Sequence, residues 1–150
     1  MRFEPSDPSW EARVRGSFAR QPMMGTIGAV LERLAPGEVD IRVPFHAAIS
    51  QHHGFVHAGA ITTAVDTACG YAALTLMPAG AGVLSIEFKV NLLSPGKGDS
   101  IVARGRVVKP GRNIIFCHGD VFALHRGEER LVATMSATMM TVEGRPEVVD

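Results

Sequence analysis

The chain has 150 residues, 46% of them hydrophobic, and its 15 lysines and arginines balance 15 aspartates and glutamates. That size and apolar content suit one domain, 1–150, with its own core, and the even charge supplies no general field for nucleic acid. The charged start, MRFEPSDPSWEARVRG, lacks the apolar core of a signal peptide and no apolar run could span a bilayer, so a cytoplasmic protein without membrane contact is expected.

In chain order, Ser9 is placed to cap a short helix carrying Trp10, Val14 and Phe18 at helical spacing and ending near the Gln21-Pro22 step. Residues 1–24 therefore read as a helical extension packed across one end of the domain. Gly28 to Leu34 and Glu38 to Phe45 read as a hairpin turning at Pro36-Gly37, with Val39, Ile41 and Val43 alternating against Asp40 and Arg42. After a loop from Gln51 to Val56, Ala58 to about Leu76 reads as the one long helix, stopped by Pro78 and Gly80. Its stripe of Ile61, Val65, Ala68, Ala72 and Leu76 is small enough to lie close to the concave face of a sheet.

From Gly82 onward the pattern is strand. Leu84, Ile86, Phe88, Val90 and Leu92 alternate with Ser85, Glu87, Lys89 and Asn91, followed by a Ser94-Pro95-Gly96 turn. Ile101 to Val108, Asn113 to Leu124 and Leu131 to Val142 follow at hairpin spacing, and 144–150 reads as a frayed tail. The expected fold is α+β, a five- or six-stranded antiparallel sheet wrapped around one long central helix. Cys69 and Cys117 lack any paired spacing and read as reduced core thiols.

The chemistry concentrates in QHHGFVHAGAITTAVDTACGYAA, Gln51 to Ala73. Asp66 stands inside a helix of small apolar residues, where a carboxylate is a poor helix former and costly to bury without compensation. Thr62, Thr63, Gly59 and Gly70 share its face, leaving room beside it for a general base or nucleophile, and spacing alone leaves a structural ion pair equally open. His57 precedes the helix, whose first amides, that of Ala58 included, are free donors at a positive dipole end and can hold an oxyanion. Such donors also bond water or a cap in ordinary helices. His52, His53 and His57 raise a metal reading, which Gly54 and the lack of a zincin Glu or Cys pair argue against, so no metal is expected. Arg104, Arg106, Lys109 and Arg112 form a basic cluster that reads either as a phosphate contact or as a solvated sheet face.

His57-Ala58-Gly59 followed by Asp66 resembles the HGG-to-Asp pattern of hotdog-fold thioesterases of the PaaI-like and hydroxybenzoyl-CoA group, over about Met24 to Val142. The resemblance implies a homodimer joined edge to edge, often a dimer of dimers, acting on an acyl-CoA whose coenzyme A is part of the substrate, with no separate cofactor. It makes Asp66 the catalytic carboxylate, Gln51 the contact to thioester or water, Ala58 the oxyanion amide beside His57 and Gly59, and Ser85 a residue that helps position water. Asp66 would come from one subunit, with Gln51 and the amide from the other. It also places Gly54, Val56, Thr63, Pro95, Gly96, Arg112 and Asn113 as contacts to substrate or CoA. Ala58 departs from the family's usual Gly and would narrow the approach to the carbonyl, and Gly70 stands where some hydroxybenzoyl members have Thr. Two other readings stay open: a non-catalytic acyl-CoA-binding module and a hotdog hydratase or dehydratase.

Overall fold

The computed structural model describes residues 3–150. Six alternating segments form strands: β1 (Val30–Ala35), β2 (Glu38–Pro44), β3 (Gly82–Leu92), β4 (Ser100–Lys109), β5 (Ile114–His125) and β6 (Glu128–Val142). They make one antiparallel sheet in the order β1-β2-β4-β5-β6-β3. Gly37, with φ of +74°, provides the left-handed residue of the first hairpin turn. From β2 the chain passes through the long helix α3 (Ala58–Leu74), which crosses the inner face, and returns as β3 at the far edge. The fold is therefore α+β with six strands around one helix, as the sequence implies.

Close approach sets the height of α3 above the sheet. Gly105 on β4 and Gly119 on β5 are cross-strand partners beneath it. A Cβ at Gly105 would lie 2.3 Å from the backbone of Ala68, and one at Gly119 would lie 2.4 Å from Val65 Cγ2. Paired glycines in the sheet and small residues in the helix are thus complementary halves of one contact, and Ile61, Val65, Ala68 and Ala72 are all buried there. Cys69 and Cys117 are free and buried in the same layer, and burial pushes the Cys117 thiol up to about 12.

The helical extension forms α1 (Trp10–Arg20), then a short α2 (Pro22–Thr26) that the sequence reading lacks. Gln21-Pro22 ends α1 as expected, and Pro22 then opens the next helix, a position where a missing N–H costs nothing. Ser9 holds the N-cap position without a side-chain bond; Asp7 Oδ1 instead accepts from the Ser9 N–H at 2.8 Å. Arg13, paired with buried Asp7 at 3.3 Å, donates to the carbonyls of Leu74, Met77 and Pro78. The extension thereby caps the C-terminal end of α3, where cationic donors suit the dipole.

The segment 144–150, expected to fray, folds back onto the start of β3: Val148 lies against Gly82, and Asp150 accepts from the Val83 N–H at 3.0 Å. Arg104 pairs with Glu129 at 2.6 Å and Arg106 with Asp40, so those two cations are spent on the sheet face. Among the described residues no helix is long and apolar enough to cross a membrane, and no three His, Cys, Asp or Glu side chains gather as a metal site.

Candidate active site

Two half-sites lie along α3. At its N-terminus, His57 is the N-cap in an extended conformation (φ −62°, ψ 139°) and its Nδ1 accepts from the Gly59 N–H at 2.8 Å. In the neutral ring the proton then sits on Nε2. The Ala60 and Ile61 amides donate to the His57 carbonyl, which leaves the Ala58 N–H without a protein acceptor among the described residues. It points out of the helix end into a cavity of about 550 Å³ shared by Gln51, Val56, His57, Ala58, Ile61, Leu92, Pro95 and Gly96.

The preceding loop is held firmly. Gln51 N–H donates to Phe55 O and Gly54 N–H to Gln51 O, with Gly54 at φ +81°. Val56 N–H donates to Gly96 O and His57 N–H to Ile49 O, both at 2.8 Å, so the loop is pinned to the turn after β3. Gln51 Oε1 accepts from the His53 N–H, and its two amide N–H donors have no acceptor among the described residues. The His52 and His53 rings pack tilted against one another in this turn, with centroids 3.9 Å apart.

The second half-site is Asp66. Burial raises its carboxyl above the ordinary aspartate range, and the Ser85 hydroxyl, which donates to Oδ1 at 2.8 Å, works in the opposite direction. This contact depends on an irregularity in β3. The strand pairs Leu84 with Met140 and Ser85 with Met139, then Glu87 with Thr138, leaving Ile86 as an extra residue. Strict alternation would put Ser85 beside Glu87 and Lys89, facing away from α3. The bulge turns Ser85 toward the helix, on the side of Phe88 and Val90, and sends Leu84 to the outer face. Asp66 and Ser85 border a chamber of about 220 Å³ completed by Thr67, Gly70, Tyr71 and Gln21.

The expected site residues therefore fall into separate groups. Gln51, Val56, His57, Ala58, Pro95 and Gly96 come together, with Gly54 and Gly59 in the same loop and first turn. Asp66 and Ser85 come together elsewhere, eight residues and about 12 Å further along the helix. Thr63 lies between them and spends its hydroxyl on the Gly59 carbonyl at 2.9 Å. Arg112 and Asn113 sit in the turn before β5, whose first residue aligns through Met140 with Leu84 at the start of β3. Pro95 and Gly96 follow the other end of that strand, so one chain does not bring these two groups together. Sequence reasoning missed Leu92 and Leu93 as walls of the Ala58 cavity, and Gln21 and Asp150 as walls of the Asp66 chamber; none carries a local pattern that marks it.

Comparison with known proteins places the chain in a family. The chain matches the family model described as the thioesterase superfamily over residues 53–129. A thioesterase family protein from Silicibacter pomeroyi has 48% identity and a TM-score of 0.88, covering 90% of this chain and 99% of its own. The E. coli PaaI protein from the phenylacetic acid degradation operon, at 17% identity, shares the fold with a TM-score of 0.81, covering 91% of this chain and 95% of its own. A candidate esterase of Halobacterium salinarum is 32% identical over 97 residues, 61% of this chain, and the chain spans 64% of the length of that curated relative. By fold and by the matched segment from His53 to Glu129, the chain belongs to the thioesterase superfamily.

Proposed function

We propose that the protein hydrolyses acyl-CoA thioesters to free acid and CoA, at sites that two copies of the chain complete together. The observation that carries this reading is the separation just described. A free amide donor and a raised carboxylate lie on one helix about 12 Å apart, the amide pointing away from the carboxylate, so within one chain they cannot act on one carbonyl. The strand β3 supports the remedy. It is an uncovered edge whose Phe88 and Leu92 are 42% and 54% exposed, an arrangement that invites pairing with a second strand. Antiparallel pairing of β3 with its copy about a two-fold axis sets the start of one strand, with Ser85 and Asp66, beside the end of the other, with Leu92 and the Ala58 cavity. It also brings the Arg112-Asn113 turn of one copy toward the Pro95-Gly96 rim of the other, as expected of contacts to a single CoA.

At such a site the thioester oxygen accepts from the Ala58 amide of one copy and the side-chain N–H groups of Gln51 hold the substrate or water beside it. Ionised Asp66 of the other copy takes a proton from water as it attacks the carbonyl carbon, or attacks directly to give an anhydride that water then cleaves. In either course the negative charge that builds on oxygen is met by the helix N-terminus, the carbon–sulfur bond breaks, and CoA leaves as its thiolate. Release of free thiol from short, medium, long and aromatic acyl-CoAs tests the reading. Ala58→Pro is a selective probe, because proline is tolerated at the first helical position and His57 already has the extended backbone that precedes proline. It should keep the fold and lower kcat by about a hundred-fold or more, as loss of one oxyanion donor does. Asp66→Ala should abolish turnover, and unchanged turnover in both variants would contradict the proposal.

A further inference from the structure

The chamber beside Asp66 has a second polar end, for which hydrolysis itself has no use. From Asp66 to Tyr71 the chamber follows α3 for five residues, about 7.5 Å of rise. At the Tyr71 end four elements converge. Asp150 Oδ1 accepts from Ser17 Oγ at 2.6 Å and Oδ2 from the Val83 N–H at 3.0 Å. Ser17 Oγ and Tyr71 Oη are 3.1 Å apart, and Gln21 Nε2 donates to Tyr71 Oη at 3.4 Å. Ser17 and Tyr71 are buried, 6% and 4% exposed, while Gln21 and Asp150 at the two ends of the chain of bonds are half-buried.

The direction of that chain follows from counting protons. Ser17 has one hydroxyl proton and gives it to Asp150, which obliges Tyr71 to donate to Ser17 and to accept from Gln21. Every donor therefore runs toward Asp150. A carboxylate has about four acceptor positions. Two are filled and, among the described residues, no cation is paired with Asp150, although the charge of Arg20 at the end of α1 reaches Tyr71 and opposes that of Asp150 there. What this end offers to an occupant is acceptor capacity and negative charge.

We infer that Asp150 selects the acyl group: the chamber takes a short acyl chain whose far end carries a hydrogen-bond donor and turns away one that ends in a carboxylate. This rests on the acyl-CoA reading above. The length limit follows from reach, since the Asp150 end lies only about 7.5 Å of helix rise beyond Asp66. The preference for a donor follows from the unfilled acceptors, and the rejection of carboxylates from the cost of setting like charges together in a confined site.

The test compares hexanoyl-CoA, ω-hydroxyhexanoyl-CoA and adipoyl-CoA as substrates of the intact protein, with the butanoyl and octanoyl series as length controls. The wild type should favour the hydroxyl terminus over methyl by about ten-fold in kcat/KM and disfavour the carboxylate terminus by about a hundred-fold, the range expected for hydrogen bonds to charged groups. Asp150→Asn can keep both structural bonds, its oxygen accepting from Val83 and its amide donating to Ser17. It should raise the adipoyl-to-hexanoyl ratio by about ten-fold. Ser17→Ala, which frees Asp150 to move, should reduce the preference for hydroxyl and serves if the first variant does not fold. Ratios that are the same in wild type and variants overturn the inference while hexanoyl hydrolysis upholds the thioesterase reading. Hydrolysis of none of the thioesters overturns both.

Discussion

Asp66 and Ser85 show how one hydroxyl can set the working range of a carboxylate. Burial raises the Asp66 carboxyl and the Ser85 hydrogen bond lowers it, with burial the larger influence. In its proposed role of base or nucleophile Asp66 acts only when ionised, so the activity should rise along an acid limb centred above the ordinary aspartate value. Ser85→Ala removes the influence that favours the charge, and the limb should move to higher pH; a kcat/KM profile that stays in place would contradict the assigned contact. Stability carries the same sign. The folded state holds its proton to higher pH than the unfolded chain, so ionising Asp66 lowers stability as pH rises through the folded value, and the loss disappears below the unfolded value. Asp66 was legible in the sequence because a carboxylate among alanines is anomalous at any register. Family resemblance marked Ser85 only as a residue that helps position water, and its bond to Asp66 was not legible, because strict alternation turns Ser85 away and the bulge at Ile86 is a matter of how two strands pair. His57 was legible as the residue before the helix, and its use of Nδ1 to cap Gly59 emerged only from the structure.

At the level of elements, the helix and the sheet were readable because their periods differ and their ends carry glycine and proline. The α3 stripe and the turns at Gly37 and Gly96 lie where the pattern puts them. The short helix after Pro22 and the docking of Asp150 were not readable, since a five-residue helix has no period to detect and the Asp150 contacts join residues 67 and 133 positions apart. The close seat of α3 gives a prediction that belongs here. Gly105→Ala would press a methyl group onto the Ala68 backbone, which has no rotamer to yield. Overpacking of this kind costs about 3 kcal/mol. In a domain of this size that is about 6–12 °C in Tm. A thermal melt within about a degree of wild type would mean that the helix can lift off the sheet freely.

Across the molecule, the sheet leaves the edge strand β3 uncovered among the described residues. The outer strand β3 keeps Ile86, Phe88 and Leu92 exposed beside the half-site of Asp66, while the amide of Ala58 opens into a different cavity. Alternation in the sequence marks those residues as an apolar face without saying what, if anything, covers it. In the proposed dimer each working site takes Ala58 from one copy and Asp66 from the other, and subunit complementation distinguishes this arrangement from a site within one chain. Ala58→Pro and Asp66→Ala chains, each inactive alone, should regain about a quarter of wild-type activity when unfolded together and refolded as a mixture, because half of the dimers are mixed and each mixed dimer holds one intact site. If refolded mixtures remain as inactive as the separate variants, the two groups act within one chain and the account of the site is wrong.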